Sequence, residues 1–349
     1  MESPKISVIM AVYNGEPYIS DTIKSVLNQT FEDFEFIIVN DCSTDTTKQT
    51  IEGFSDERII LINNDNNLGS SRAGNKGIEA AKGEFIARID ADDLISENRL
   101  EIQYQFLKSY PEIGILGSRY KILGTEICKD LVTCPDEIAV KLFLGQNCIA
   151  HSTVMMRSEL FWKHGLNYNP DNPVSQDYEL WVNSSKVVKI SNLPDYLMEY
   201  RIHDNQISTK RFKEQQEHAK RIVTDTLRTY YPQVSSSEIM DHYKLLGFEK
   251  VEISDLENLI SWANFLIEIN DKVNRFDKVI FEEYVIGLKD HSITQVFNTS
   301  FILAPHYSPK LYVHFLKAKK RFAPNLDSKI ILKFMLKCFL FQTRKKNLS

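Results

Sequence analysis

The sequence predicts an α/β fold: a mostly parallel sheet with helices on both faces, followed by a mainly helical C-terminal region. Three observations carry this. Over the first 120 residues, continuous apolar runs of strand length alternate with stretches of helical period, and such alternation builds a parallel sheet covered by helices. From about Ile113 to Arg201 short strands and short helices are separated by loops rich in Asn, Asp and Pro, such as residues 167–173. Beyond about Lys210 the period is helical and glycines are few. A boundary near Lys210 therefore divides a sheet domain, residues 1–210, from a helical region, residues 211–349.

Taken in order, Ile6–Val12 is an apolar run of strand length. Tyr18–Gln29 places Ile19, Ile23, Val26 and Leu27 on one helical stripe. Phe34–Val39 is a second buried strand. Asp45–Gly53 reads as a helix capped by Ser43 or Thr44 and stopped by Gly53. Ile59–Ile62 is a strand, Ser70–Ala81 a helix ended by Gly83, Phe85–Ile89 a strand, and Asn98–Tyr110 a helix stopped by Pro111. Ile113–Gly117, Thr153–Met156 and Leu197–Arg201 are short strands of the irregular half. In the helical region Leu259, Trp262, Ala263, Leu266 and Ile267 share one face.

The 349 residues, 43% hydrophobic and 26% charged, are those of a globular protein with an ordinary core, which excludes a disordered or fibrous chain. The net charge of −5 hides an asymmetry: residues 310–349 carry eleven Lys/Arg and one acid, Asp327, leaving the remainder at −15. A basic tail suits an anionic partner, membrane or nucleic acid, or else is a solvated helical face. Ile331, Phe334, Met335, Cys338 and Phe339 interleave with lysines at helical spacing, which favours a membrane-surface helix over nucleic acid. Cys42, Cys128, Cys134, Cys148 and Cys338 are odd in number and lack zinc-site spacing, so they read as reduced thiols of a cytoplasmic protein. The N-terminus leads straight into a strand without a secretory apolar segment. The best apolar stretch, residues 330–341, is short for a membrane span and is broken by Lys333 and Lys337.

Six constellations carry chemistry. Asp90-Ala91-Asp92-Asp93 closes a strand, at the sheet edge where open α/β sheets bind ligands. Alternate aspartates there can share Mg2+ or Mn2+, whose remaining positions take diphosphate oxygens; a helix cap and turn is the alternative. Asp41, in Val39-Asn40-Asp41, can accept the imide N–H of a uracil ring; a helix cap is again the alternative. Ala11-Val12-Tyr13-Asn14-Gly15 supplies a tight turn, with Tyr13 free to lie against a base. Arg72, in the Asn67–Gly77 stretch, can pair with a phosphate, brace an aspartate, or be a surface arginine. Asp177 begins a helix and can take a proton from an incoming hydroxyl, or is simply an acidic helix start. His203, in Tyr200-Arg201-Ile202-His203, is structural or completes Mn2+ coordination. No Gly-rich dinucleotide fingerprint or Walker P-loop is present, which argues against a nicotinamide dehydrogenase.

In this order the six resemble the family 2 nucleotide-sugar transferases. The resemblance runs from about residue 5 to 210 through Ser7–Asn14, Ser25–Thr30, Val39-Asn40-Asp41 with Ser43–Asp45, and Asn67-Leu68-Gly69 with Arg72 and Asn75. It continues through Asp90-Ala91-Asp92-Asp93, Gln176-Asp177-Tyr178 and Tyr200-Arg201-x-His203. It implies a GT-A fold with a Rossmann-like sheet, and a metal-dependent, inverting hexosyltransferase. A UDP-sugar would donate a hexose or N-acetylhexosamine to a glycan or lipid-linked acceptor, in surface polysaccharide synthesis. Ala11, Tyr13 and Asp41 would hold the uridine, with Arg72 and Asp90 on the donor side. Asp92, with His203, would hold Mn2+ or Mg2+, and Asp177 would be the general base. Gln176 stands where many members carry Glu, removing a charge beside the base. His151 receives no chemical role. The cytoplasm, peripherally on the inner face of the plasma membrane, is the expected location. A nucleotidyltransferase usually needs a basic Gly-rich N-terminal loop, which Ala11–Gly15 is not. A non-catalytic sugar-nucleotide scaffold sits poorly with intact Asp90, Asp92 and Asp177.

Overall fold

The computed structural model describes residues 3–204, 206–323 and 328–340. The chain divides into two compact units, Met1–Thr226 and Leu227–Ser349. In the first unit the elements run β1 (Ile6–Val12), α1 (Ile19–Leu27), β2 (Phe34–Asn40), α2 (Thr47–Glu52), β3 (Ile59–Asn63), α3 (Ser70–Ala80), β4 (Phe85–Arg88), β5 (Leu94–Ile95) and α4 (Arg99–Ser109). They continue with β6 (Ile113–Ile122), β7 (Cys128–Lys129), α5 (Pro135–Phe143), β8 (Met155–Arg157), α6 (Glu159–His164), α7 (Gln176–Ser184), β9 (Lys189–Tyr200), α8 (Ile207–Lys210) and the start of α9 (Phe212–Tyr230).

The strands join one sheet in the order β3-β2-β1-β4-β8-β6-β9-β5, with β7 beside β6. β3, β2, β1 and β4 are mutually parallel; the antiparallel β8 then joins β4 to β6. β1 and β2 are almost wholly buried, which is why they read as near-continuous apolar runs rather than alternating ones; the Ser7 and Glu35 that interrupt them pair with each other at 2.6 Å. One core cluster packs Ile23, Val26, Leu100 and Leu107 against Val8, Phe36 and Phe85. Another gathers Ile138, Leu160 and Trp181 around Ile86 and Ile115. Ala219 and Ile222 of α9 pack into the latter, so the first unit reaches past Lys210.

Two strands outrun their sequence signal. β6 and β9 extend to Ile122 and back to Lys189 and pair in parallel. The register jumps from Ser118 opposite Leu193 to Arg119 opposite Tyr196, so Pro194 and Asp195 bulge out of the ladder. A proline inside a run hides a strand, because it cannot donate to its neighbour.

In the second unit α10 (Ser236–Leu245), α11 (Leu256–Val273), α12 (Lys278–Phe297), α13 (Pro309–Phe322) and α14 (Ser328–Phe339) follow. Their core gathers Leu256, Phe297, Phe301, Phe315 and Phe334. Phe334 and Cys338 are buried there, which corrects the stripe that the tail's spacing assigned to a membrane: part of it is a packing face. The last basic residues of that tail, Arg344, Lys345 and Lys346, lie outside the described residues. No described helix is long and apolar enough to cross a membrane.

Candidate active site

Because β1, β2 and β4 are parallel, their C-terminal ends share one edge. That edge presents Ala11–Gly15, Asp41 and Asp90–Asp93. The first two segments are tied to each other. Asn14 takes a left-handed conformation, φ 52°, which Asn tolerates. Its backbone N–H donates to Ser43 Oγ at 3.0 Å, and its Oδ1 accepts from Thr44 N at 2.8 Å. Thr47 Oγ1 accepts from Gly15 N at 2.8 Å. Ser43 and Thr44 therefore do not cap α2 as their spacing suggests; they clamp the β1 turn, and Asp45 Oδ1 takes the Thr47 N–H at 3.0 Å instead.

Asp41 is 3% exposed. Its Oδ1 accepts from Asn64 Nδ2 at 2.7 Å and Leu68 N at 2.9 Å, and its Oδ2 from Gly69 N at 2.8 Å. One carboxylate thus shapes the 64–69 loop and lines the cavity, with acceptor capacity left over.

The acidic turn is held from below. Thr22 Oγ1 on α1 contacts the carbonyls of Ala91 and Asp93, each at 2.9 Å. Gln29 Nε2 donates to Ser96 O at 2.7 Å, and Gln29 Oε1 accepts from Leu100 N at 3.0 Å. The Ser25–Thr30 stretch therefore braces the segment that carries the carboxylates. Asp90 Oδ1 pairs with the buried Arg88 at 2.9 Å, His151 Nδ1 lies 3.5 Å from its other oxygen, and its backbone N–H donates to Ser152 Oγ at 3.0 Å. Burial alone would raise the Asp90 carboxyl; Arg88 and His151 outweigh it and hold it well below the ordinary carboxylate range. Asp92 goes the other way: burial and the Asp90 charge lift it, against the pull of His203. Asp93, fully buried, is lifted further by burial and by Asp92 and Asp90; its Oδ1 accepts from Arg201 N at 3.1 Å and its Oδ2 has no hydrogen-bond partner.

His203 comes off the end of β9. Its Nε2 lies 2.9 Å from Asp92 Oδ2 and its ring packs, tilted by 32°, with its centroid 4.7 Å from that of Tyr18. Asp177 sits in the first turn of α7, with Asn147 Nδ2 donating to its Oδ2 at 3.1 Å. The loop before α7 is stapled to α3: Asn75 exchanges two hydrogen bonds with the Tyr168 backbone, at 2.8 and 3.0 Å. Tyr168 OH meets His151 Nε2 at 2.8 Å, so the chain from α3 to Asp90 is continuous.

Ala11, Tyr13, Asp41, Asp90, Asp92, Asp177 and His203 all line one cavity of about 850 Å3. Arg72 is exposed and lies off its lining, on α3 between the buried Ser71 and Ala73. Sequence reasoning gave no chemical role to Arg88, Asn147, His151 or Arg201. Arg88 left a local trace, a charge inside a strand run, and Arg201 stands in the Tyr200–His203 motif.

Among the described residues no group of three or more His, Cys, Asp or Glu forms a closed metal cage. A carboxylate oxygen and an imidazole nitrogen side by side on the cavity wall nonetheless fit a divalent ion shared with a bound diphosphate, which needs only one or two protein ligands. Asp92 and His203 are that pair.

A model of glycosyl transferase family 2 matches residues 7–164. An uncharacterized glycosyltransferase of Haemophilus influenzae is 34% identical over 310 residues, covering 84% of this chain and 89% of its own. The chain belongs to glycosyl transferase family 2. A second relative, the Escherichia coli UDP-Glc:alpha-D-GlcNAc-diphosphoundecaprenol beta-1,3-glucosyltransferase WfgD, is 32% identical over 222 residues, 61% of this chain and 83% of its own. Among solved structures, S. aureus TarS 1-349 in complex with UDP-GlcNAc superposes with a TM-score of 0.54 at 19% identity, covering 81% of this chain and 92% of that one. The fold is of the GT-A type that the resemblance implies, and this family 2 protein is a glycosyltransferase.

Proposed function

We propose that the enzyme moves a hexose or N-acetylhexosamine from a UDP-sugar to a hydroxyl of a lipid-linked glycan, with inversion, in the assembly of a bacterial surface polysaccharide. The observation that carries this reading is the convergence of Tyr13, Asp41, Asp90, Asp92, His203 and Asp177 on one cavity from distant parts of the chain. The relative WfgD, whose name pairs UDP-Glc with a diphosphoundecaprenol acceptor, supports the choice of donor and acceptor class.

In this reading the uracil lies against Tyr13 with its imide N–H on Asp41. Asp90, kept ionised by Arg88 and His151, takes hydroxyls of the ribose or donor sugar. Arg72, exposed on α3 and off the cavity lining, is not among the residues that reach the donor in this reading. Asp92 and His203 would hold Mn2+ or Mg2+, whose charge offsets that building on the departing diphosphate. Asp177, steadied through one oxygen by Asn147, takes the proton of the acceptor hydroxyl as its oxygen attacks the anomeric carbon. The bond from that carbon to the diphosphate breaks, and its electron pair leaves with UDP. The site works at the inner face of the plasma membrane, where cytoplasmic sugar nucleotide meets a lipid-borne acceptor; nucleic acid has no part in it.

The test is a panel of UDP-sugars followed by UDP release, with Mn2+ or with chelator, and then a panel of diphosphate lipid-linked acceptors with the product's anomeric configuration read by NMR. Metal-dependent UDP release and an inverted product are expected. Release of pyrophosphate, or a retained configuration, contradicts the reading.

A further inference from the structure

Helix α14 is apolar on two faces, and among the described residues the C-terminal unit buries only one of them. Phe334 and Cys338 are buried, with Phe334 packed on Phe301 and Phe315. On the opposite side Leu332, Leu336, Phe339 and Leu340 are 55, 50, 54 and 64% exposed. Their spacing of i, i+4, i+7 and i+8 puts them within one arc of the helix. Lys329 shares that arc and Lys333 lies on its flank, toward the buried face; Lys337, further round, turns its Nζ to Tyr307 OH at 3.4 Å. On α13, which packs against α14 through the Tyr312–Phe339 ring contact, Val313 and Leu316 are 50 and 41% exposed.

We propose that this outer stripe docks the enzyme on an anionic bilayer surface, its leucines and phenylalanine entering the interface while Lys329 and Lys333 meet acidic headgroups. The inference deepens, and rests on, the reading that the acceptor is lipid-linked. Three observations select this occupant. The stripe is the solvent face of a helix already anchored by its other side, so it is presented rather than buried by folding. Residues 310–349 carry a charge of +10, which complements an anionic surface and opposes pairing with the same segment of a second copy. α14 is too short to span a bilayer, so an interfacial position is the one its amphipathic pattern permits.

The full chain is floated with phosphatidylcholine vesicles, with and without phosphatidylglycerol, at low and at raised salt. Wild type should float only with the anionic vesicles and be released by salt. Leu336→Gln/Phe339→Gln and, separately, Lys329→Glu/Lys333→Glu should each lower partitioning about tenfold or more. Both pairs are outside the cavity, so UDP binding measured on the same samples should stay at the wild-type value. Failure of wild type to float, equal binding to neutral vesicles, or unchanged partitioning of both variants overturns the docking. So does light scattering that shows a wild-type dimer broken by the same substitutions without lipid dependence. UDP binding in these samples separates the two claims: its absence counts against the transferase site, and its persistence without flotation counts against the stripe alone.

Discussion

Asp41 shows how one carboxylate serves both structure and binding. It takes three hydrogen bonds, two of them from consecutive backbone N–H groups at Leu68 and Gly69. Replacing it with Ala strands those donors in a nearly closed site, at a cost of about 1–3 kcal/mol. Asp41→Ala should therefore lower the unfolding midpoint and weaken UDP binding together, read by urea denaturation and by calorimetric titration; weak binding with full stability would mean that the loop does not depend on it. Asp41 and the Asp90–Asp93 cluster were legible in the sequence because each follows an apolar run, whereas Asp177 begins a helix and stood out through the Gln176-Asp177-Tyr178 motif. Asn147, His151 and Tyr168 were not, because each acts on a partner far away in the chain and none disturbs a local period. The same limit explains Ser43 and Thr44: their types suit a helix cap, but only the fold brings Asn14 close enough to claim them.

At the scale of elements, α3 links the loop shaped by Asp41 to the segment that leads into α7. Its first residues follow the loop shaped by Asp41, and Asn75 and Gly74 receive the Tyr168 segment that leads to α7. α3 lies close on the sheet: a Cβ at Gly77 would meet Ile9 Cγ2 at 2.4 Å. Gly77→Ala should destabilise the chain by about 1–3 kcal/mol in urea unfolding; a neutral result would mean that the helix can shift outward freely. In the second unit, His242 is fully buried, its Nδ1 accepting from Trp262 Nε1 at 3.1 Å while its Nε2 has no hydrogen-bond partner. Burial pushes its pKa down to about 3 from 6.5. The folded state therefore binds fewer protons than the unfolded one between those values. Its stability is fully present above pH 6.5 and is lost as pH falls toward 3, by about 1.4 kcal/mol per pH unit. His242→Gln should flatten that part of the acid profile of thermal unfolding; an unchanged slope would place the acid sensitivity elsewhere. Helices α1, α3 and α4 and the central strands were legible from apolar periodicity, whereas β9 was shortened by Pro194 and the edge strands β5 and β7 are too brief to leave a pattern.

At the scale of the molecule, the chain separates its tasks. The candidate site residues gather on the sheet unit, and an excess of positive charge gathers at the other end of the sequence. The helical unit carries no chemical motif, so its role had to be read from which faces its helices bury and which they leave exposed. A change of period placed a boundary near Lys210, whereas the compact units divide between Thr226 and Leu227; that the first unit claims Ala219 and Ile222 left no mark in the sequence, because α9 runs as one helix through both. The central claim is that this family 2 transferase uses Asp177 as the base for attack on a UDP-sugar. Its most direct test is sugar transfer and UDP binding measured side by side for wild type and Asp177→Asn, which keeps the shape of α7 and removes the proton acceptor. Loss of transfer by about 100-fold or more with UDP affinity unchanged is the expected result, and near-normal turnover in the variant would contradict the account.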